Sequence, residues 1–425
     1  MNYFICESVL ITQLLESFIK DLLEWTCSLT WTDFILIFWP LLIIDFLRTF
    51  LKVIVIISHA IYSKICRIRY PVYFTPKVSI IIPAHNEEKV IVRAIESAIE
   101  TDYQNKEIIV VDDGSTDGTY QLAYPYAKKG LIKLLRRNVA SGSKAGALNH
   151  GLMYATGDVI VTVDADTMLE REAIKEAVKP LSSPKISAIS GNVRVLRGEH
   201  GKNNLLVKLQ TYEYLLSLEL GRRFNSIIGT LLIISGAFGA FWKKYVDSLG
   251  RYDKDTITED FDITVKMRKL GKRLFFAENA VAWTFVPDQW RDWRRQRLRW
   301  TIGQAETLWK HRNAFMKETF ELRFVLALYD MLFMDIILLF IRILWLVFTF
   351  IVLKQTMLYA LILSIIIYLI LELFLSVTTG LLSPRKHDLK KIYLAPIMVV
   401  FYRPLYALVR LEAYVRWALK KKVTW

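Results

Sequence analysis

Two long apolar runs late in the chain restrict its fold more than any other feature. They cover 324–353 and Met357–Leu382 and are separated only by Lys354–Thr356. A helix of about 20 apolar residues crosses the hydrocarbon core of a bilayer, so each run is long enough to span it. The short connection between them predicts a transmembrane hairpin.

The composition agrees with a membrane protein. Hydrophobic residues make up 53% of the 425 residues, yet Lys and Arg (56) outnumber Asp and Glu (41), which leaves a net charge of +15. Membrane proteins with a basic cytosolic face combine these two properties. Nucleic-acid binding would also account for the positive charge. A nucleic-acid-binding domain does not need long apolar runs, however, and we expect no nucleic-acid partner.

A further transmembrane helix is predicted near the start of the chain, over 31–62, with a buried core helix as the alternative. Lys64, Arg67 and Arg69 follow this helix, and the basic stretch PRKHDLKK at 384–391 follows the hairpin. Because positive charge favours the cytosolic side, we expect the intervening domain in the cytosol and the chain in the plasma membrane.

The stretch 77–312 has a different pattern. Short apolar runs of strand length at 78–82, 107–111 and 159–163 alternate with helical patterns such as 88–100. Strand, helix and strand at this spacing predict an α/β domain of the doubly wound type with a parallel sheet.

Acidic residues follow each of these strands. Glu87 comes after the first, Asp112 and Asp113 after the second, and Asp164 and Asp166 after the third. Ligands bind at the carboxyl ends of parallel strands, and carboxylates that meet there repel unless a cation lies among them. Hard oxygen ligands select Mg²⁺ or Mn²⁺, held by one or two carboxylates and a diphosphate. For each motif alone, a solvated turn is the alternative.

Three more residues are candidates for a binding site. Lys144 in SGSKAGALN opens a helix and can reach a phosphate, although a flexible loop with a solvated lysine is the alternative. Gly236 lets a backbone approach a substrate closely or only permits tight packing. Asp260, after Thr258 and Glu259, is a candidate general base; these residues also suit an ordinary helix start.

A basic, tryptophan-rich stretch, QWRDWRRQRLRW, closes the α/β region. On a helix, Gln296, Arg299 and Trp300 project to one side. Arginine can neutralise a diphosphate, and an indole offers an apolar wall for a sugar ring. The first part of the stretch is interpreted as a helix that rests on the membrane surface.

Read in order, these motifs resemble the processive family 2 glycosyltransferases, which include the cellulose, hyaluronan and poly-N-acetylglucosamine synthases. The stretches KLQTYEY, GNVRV and QRLRWTIGQAE look most similar to the poly-β-1,6-N-acetylglucosamine synthases, with hyaluronan synthases second. The motifs that carry the resemblance are Asp112-Asp113, Asp164-Ala-Asp166, Thr258-Glu259-Asp260 and Gln296-Arg297-Leu298-Arg299-Trp300.

The resemblance implies a domain of GT-A type with Rossmann-like topology. It also implies that Asp260 is the catalytic base, and that Asp166 with Asp164 ligates one Mg²⁺ or Mn²⁺ ion bound with UDP. The residues implied to bind the nucleotide, its diphosphate or the acceptor sugar are Glu87, Asp112, Asp113, Lys144, Asp164, Gly236, Glu259, Gln296, Arg297, Arg299 and Trp300.

The function implied is inverting transfer of a sugar, N-acetylglucosamine first, from a UDP-sugar to the hydroxyl end of a growing β-linked polysaccharide. Two alternatives stay open: a hyaluronan- or cellulose-type synthase with another UDP-sugar, and a non-processive transferase that acts on a lipid-linked acceptor. The short membrane part also leaves open an accessory membrane subunit or a homo-oligomer.

The expected organisation has six parts. They are an amphipathic segment at 1–28, a transmembrane helix at 29–64, the cytosolic GT-A domain at 65–285, interfacial helices at 286–323, the transmembrane hairpin at 324–382, and a basic loop with a spanning or interfacial helix at 383–425.

Overall fold

The computed structural model describes residues 2–66, 74–316, 320–383 and 386–420. Within these residues, one sheet of eight strands forms the centre of the α/β domain. The strands are β1 (Val78–Ala84), β2 (Lys106–Asp112), β3 (Lys133–Arg136), β4 (Val159–Val163), β5 (Thr167–Leu169), β6 (Ile186–Gly198), β7 (Phe238–Trp242) and β8 (Arg273–Val286).

The sheet is mixed, with the strand order β3-β2-β1-β4-β7-β6-β8-β5. The first four of these run parallel to one another. Strand β7 pairs antiparallel with both β4 and β6, and β5 pairs antiparallel with β8. The predicted α/β class is confirmed, but the sheet is mixed and not wholly parallel as predicted. The strands β1, β2 and β4, which are parallel to one another, are the three predicted from continuous apolar runs.

Helices precede the sheet, cover it and continue into the membrane part. Those up to the end of the α/β region are α1 (Asn2–Ser28), α2 (Trp31–Trp39), α3 (Leu47–Cys66), α4 (Ile91–Ile99), α5 (Thr119–Lys128), α6 (Lys144–Tyr154), α7 (Ala173–Val178), α8 (Leu205–Glu213), α9 (Arg222–Ile228), α10 (Lys243–Ser248), α11 (Glu259–Lys269) and α12 (Trp290–Lys310). The later ones are α13 (Leu322–Leu332), α14 (Leu338–Leu353), α15 (Met357–Leu382), α16 (Ala395–Ile397) and α17 (Arg403–Ala418).

Both faces of the sheet are buried. Because side chains alternate along a strand, Ile80 and Ile82 of β1 pack towards α4, while Ile81 packs on the other face with Leu148 and Leu152 of α6. A sheet covered in this way leaves its strand ends as the accessible edge, which is where the acidic motifs lie.

In the described part of the chain, three helical segments are long and apolar enough to cross a membrane: Leu322–Leu353, Met357–Leu382 and Lys390–Ala418. The first two coincide with the predicted hairpin, and the third covers most of the stretch predicted to be a basic loop with a spanning or interfacial helix.

The N-terminal span predicted at 29–64 is not among these three segments. There α2, a π-helical segment at Pro40–Phe46 and α3 follow one another without a break, and the span stays a prediction. Arg67, Arg69 and residues 384–385 of the basic stretch lie outside the described residues.

Candidate active site

A cavity of about 720 Å³ opens at the carboxyl ends of β1 and β4. Its walls also come from the first residues of α6 and α11, the loop before β7, and the middle of α12. The predicted site residues that line it are Glu87, Asp113, Lys144, Asp164, Asp166, Gly236, Glu259, Asp260, Gln296, Arg299 and Trp300. The structure therefore brings residues from seven separate stretches of the sequence to one place.

Asp112 lies beneath the cavity instead of in its wall. Its side chain is fully buried, accepts a hydrogen bond from the Ser115 amide at 3.0 Å, and lies 3.4 Å from Nε of Arg136. Its neighbour Asp113 points the other way, because consecutive residues at a strand end face opposite sides. Of this predicted pair, Asp113 lines the cavity and Asp112 does not.

Asp113 holds together the two loops that lead into the cavity. Its carboxylate accepts from the Ser141 amide at 3.0 Å and from the Ser141 hydroxyl at 2.6 Å, and it lies 3.0 Å from Nε of Arg137. Gly114 has a φ of +71°, and a Cβ at this position would lie 2.6 Å from the Ala140 nitrogen. Only glycine allows the loops to approach this closely.

Lys144 is a fixed cation in the cavity. Ser143 caps α6, so Lys144 is the first helical residue, and its Nζ forms an ion pair with Asp164 and lies 3.7 Å from Oε1 of Glu259. Burial opposes the positive charge, but these carboxylates raise the pKa of Lys144 above its ordinary value. The ammonium group is thus charged and lies in the cavity wall.

The carboxylates of the cavity wall outnumber its cations, which are Lys144, Arg222 and Arg299 among the described residues. Burial, together with the charge of Asp164, raises the pKa of Asp166 to about 7. Burial and the charges of Asp166 and Asp164 raise the pKa of Glu87 to about 8. Burial raises the pKa of Glu259 to about 7 in spite of Lys144. A nearby cation would favour the ionised forms of these carboxyl groups.

The described residues contain no group of three or more His, Cys, Asp or Glu side chains arranged to hold a metal ion. An ion held by two carboxylates needs further oxygen ligands from elsewhere, and phosphate oxygens of a bound nucleotide supply such ligands in many sites. Asp164 and Asp166 fit this second arrangement.

Asp260 is held from two sides at the start of α11. Its Oδ2 accepts a hydrogen bond from the Gly236 amide at 2.8 Å, and its Oδ1 accepts from the Phe261 amide at 2.8 Å. A Cβ on Gly236 would lie 2.7 Å from Nζ of Lys144 and 3.2 Å from Oδ2 of Asp260. Gly236 thus lies against the charged groups of the cavity with no room for a side chain, and its role in binding a substrate stays a prediction.

The helix α12 presents Gln296, Arg299 and Trp300 to the cavity, on one side as the spacing predicts. Arg297 lies outside the cavity wall. Its side chain is fully buried and donates from Nη2 to Oε2 of Glu213 at 2.6 Å.

Sequence reasoning missed several residues of the cavity wall. Tyr214 is the first residue of a π-helical segment, Tyr214–Gly221, Arg222 follows that segment, and Tyr406 belongs to α17. Arg222 donates to the Ser190 hydroxyl at 3.1 Å, and burial lowers the pKa of Arg222 to about 10. No local spacing marks these residues, because long-range packing brings their elements to the cavity. Tyr214 is the last residue of the stretch KLQTYEY, which carries part of the family resemblance.

Comparisons with known proteins agree with this architecture. The family model Glycosyl transferase family 2 matches residues 79–250. A mannosyltransferase from Pyrobaculum calidifontis, solved with GDP-Man and Mn²⁺, superimposes with a TM-score of 0.58 at 20% identity, over 88% of this chain and 97% of that one. This likeness confirms the predicted GT-A type fold.

Curated relatives point to one group within the family. A poly-β-1,6-N-acetyl-D-glucosamine synthase of Staphylococcus epidermidis is 31% identical over 232 residues, which cover 54% of this chain and 55% of the relative. Its counterpart in Staphylococcus aureus is 29% identical over 281 residues, which cover 64% and 67%. The chain thus matches about half of the length of the first of these relatives. Residues 79–250 match the family 2 glycosyltransferase model, and the chain is similar to the poly-β-1,6-N-acetyl-D-glucosamine synthases.

Proposed function

We propose that the protein is a membrane-bound glycosyltransferase that moves N-acetylglucosamine from UDP to the hydroxyl end of a growing β-linked polysaccharide, on the cytosolic side of the plasma membrane. The observation that carries the proposal is the cavity in which Lys144, Asp164, Asp166 and Asp260 face the wall formed by α12. The choice of sugar is supported by the similarity to poly-β-1,6-N-acetyl-D-glucosamine synthases.

The donor nucleotide would bind at the strand ends. Glu87 and the loops joined by Asp113 border the side of the cavity where the uridine would lie. Lys144 and Arg299 supply positive charge for the diphosphate. A Mg²⁺ or Mn²⁺ ion, held by Asp166 and Asp164, would offset the negative charge on the departing diphosphate.

Asp260 would act as the general base of a single displacement with inversion. The acceptor oxygen forms a bond to the anomeric carbon, its proton passes to the Asp260 carboxylate, and the bond from that carbon to the diphosphate breaks with its electron pair leaving on UDP. The hydrogen bond from Gly236 keeps the carboxylate in place. General-base assistance of this kind contributes about 10²- to 10⁴-fold to the rate.

The acceptor would bind along an aromatic wall. Trp300, Tyr214 and Tyr406 all line the cavity, and Tyr406 belongs to the candidate membrane segment Lys390–Ala418. Aromatic faces suit the apolar face of a sugar ring. A chain that grows at this wall lies next to the membrane part, so the product would enter the bilayer region beside the donor pocket.

The test is to supply labelled UDP-N-acetylglucosamine, UDP-glucose and UDP-glucuronate separately to membranes that contain the protein. We expect a labelled polymer of high mass from UDP-N-acetylglucosamine and none from membranes with the Asp260→Asn variant. A lipid carrying one sugar would support the non-processive alternative, and incorporation from another donor would change the proposed sugar. No incorporation from any donor would refute the proposal.

A further inference from the structure

Three elements that form the acceptor side of the cavity meet at one carboxylate outside it. Glu213 is the last residue of α8, directly before Tyr214. Its Oε2 accepts from Nη2 of Arg297 on α12 at 2.6 Å and from the hydroxyl of Tyr402, just before α17, at 2.7 Å. Tyr402 precedes Tyr406 by one helical turn. The Glu213 carboxylate therefore connects the end of α8, the helix α12 and the start of α17, and residues in or directly next to these three elements line the cavity.

Arg297 links this carboxylate to the cavity wall. Its Nη1 donates to Oε1 of Gln296 at 3.0 Å, and its guanidinium carbon lies 4.2 Å from the centre of the Trp300 ring. Gln296 and Trp300 line the cavity, whereas Arg297 does not. The guanidinium thus contacts two wall residues from behind.

The side chains of Glu213, Arg297 and Tyr402 form one hydrogen-bonded network, and the residues packed around it restrict their movement. Arg297 is 0% exposed and Tyr402 is 1% exposed, and the indole of Trp293 donates to the Tyr402 hydroxyl at 2.8 Å. A buried guanidinium requires a counter-charge, and its planar donors match a carboxylate better than an ammonium group does. The geometry is therefore specific to an arginine at this position.

We propose that Glu213 and Arg297 are positioning residues of the acceptor wall: with Tyr402 they hold Gln296 and Trp300 in place, and neither touches the donor or the acceptor. This inference rests on the proposed function. It gives Arg297, which is expected from the sequence to bind substrate, a supporting position instead.

The experiment uses full-length Glu213→Gln, Arg297→Lys and Tyr402→Phe variants in detergent, together with the double variant of Glu213 and Arg297. We measure UDP affinity by calorimetry, and the KM for UDP-N-acetylglucosamine and for a soluble N-acetylglucosamine oligosaccharide. UDP affinity and donor KM should stay within about twofold, while acceptor-dependent transfer should fall about tenfold or more, as expected for a displaced reacting group. The double variant should be no worse than the poorer single variant, because both changes break one network.

A matched control lies on the same helix. Arg295 is exposed and pairs only with the nearby Asp292 at 3.3 Å among the described contacts, so Arg295→Lys should leave transfer unchanged. Thermal unfolding identifies variants that do not fold. If the charge variants fail to fold, acceptor-dependent transfer by Tyr402→Phe, which removes a single hydroxyl, tests the inference.

Three results would overturn the inference. They are a loss of UDP affinity in Arg297→Lys as large as the loss of transfer, additive effects in the double variant, and unchanged transfer in all three single variants. If the unmodified protein itself transfers no sugar, the proposed function has failed instead.

Discussion

At the scale of single residues, the site depends on charges held at fixed positions. Asp260 accepts one hydrogen bond from Gly236 and one from Phe261. We expect Asp260→Asn to lower transfer by about 10²- to 10⁴-fold, since an amide cannot take the acceptor proton. UDP affinity, measured by calorimetry, should stay nearly intact because the side chain keeps its size. Full turnover in this variant would end the assignment of Asp260 as base.

Because Gly236 has no side chain, Lys144 and Asp260 can lie close to the backbone at this position. An added Cβ would meet Nζ of Lys144 at 2.7 Å, so Gly236→Ala should displace the ammonium group and reduce transfer at least about tenfold. Gly221→Ala is the control, since a Cβ there has its nearest neighbour at 3.7 Å. Equal transfer rates in the two variants would contradict a close-packing role for Gly236.

The carboxyl groups at the strand ends predict a dependence on divalent ions. Because burial and mutual repulsion raise the pKa values of Glu87 and Asp166, a bound cation should stabilise their ionised forms. We expect EDTA to stop transfer and Mg²⁺ or Mn²⁺ to restore it, measured as labelled sugar incorporated. Undiminished synthesis in EDTA would rule out the metal.

At the scale of secondary-structure elements, a buried charge cluster fixes α11 against the end of α12. Asp262 is fully buried, and its carboxylate accepts from Nε2 of His311 at 2.9 Å. Nζ of Lys310 lies 3.0 Å from the same carboxylate, and Nζ of Lys266 lies 3.2 Å from it. Both lysines also pair with Asp253 at 2.6 Å. The cluster thereby sets the distance between the helix of Asp260 and the helix of Trp300.

This cluster predicts a pH dependence of stability. Burial works against ionisation, but the hydrogen bonds from His311 and Lys310 and the charge of Lys266 hold the pKa of Asp262 below its ordinary value. A carboxyl group with a lowered pKa in the folded state stabilises that state at neutral pH. This stabilisation is lost as the pH falls below the ordinary pKa of about 4 towards the folded value.

We therefore expect Asp262→Asn to lower the free energy of unfolding at pH 7 by about 3–5 kcal/mol, because the surrounding cations lose a buried counter-charge. The variant should accordingly unfold at a lower temperature. Between about pH 5 and pH 2 the variant should lose less stability than the unmodified protein. Thermal unfolding across this pH range measures both effects. Asp102→Asn, which changes an exposed carboxylate, is the control, and equal acid sensitivity of all three proteins would contradict the role given to Asp262.

At the scale of the whole molecule, ion pairs join the first helices to the last ones. Asp45 lies 2.8 Å from Nη2 of Arg342 and accepts from the Tyr368 hydroxyl at 2.6 Å. Arg48 forms a two-point pair with Asp330 at 2.7 and 2.9 Å. Charged side chains within apolar helices are costly unless they are paired, so these contacts specify which helices pack together.

We expect Arg342→Met to leave Asp45 without its counter-charge and to destabilise the folded protein by about 3 kcal/mol. The double variant Asp45→Asn with Arg342→Met should recover most of this loss, since no unpaired charge is left. The measurement is thermal unfolding in detergent, followed by size-exclusion chromatography. A double variant as unstable as the single one would show that the pair does not connect these helices.

Much of the site could be predicted because its residues are tied to local patterns. The strand ends after β1, β2 and β4 meet at one edge in any parallel sheet, which places Glu87, Asp113 and Asp164 together without knowledge of the packing. The spacing of three and four likewise places Gln296 and Trp300 on one side of α12.

Other residues depend on contacts between distant parts of the chain. Asp112 and Asp113 are equivalent in the sequence, and the register of β2 in the sheet decides which of them faces the cavity. Arg297 and Arg299 are distinguished by the position of Glu213, and Tyr406 reaches the cavity only because α17 packs against α12.

The sequence by itself determined the class of fold, the apolar segments and the edge of the sheet where chemistry can occur, because these follow from periodicity and from the ends of strands. The tertiary structure alone decided which neighbouring charges are exposed to a ligand and which are buried as supports. The reason is physical: the cost of burying a charge depends on its partners, and those partners lie far away in the sequence.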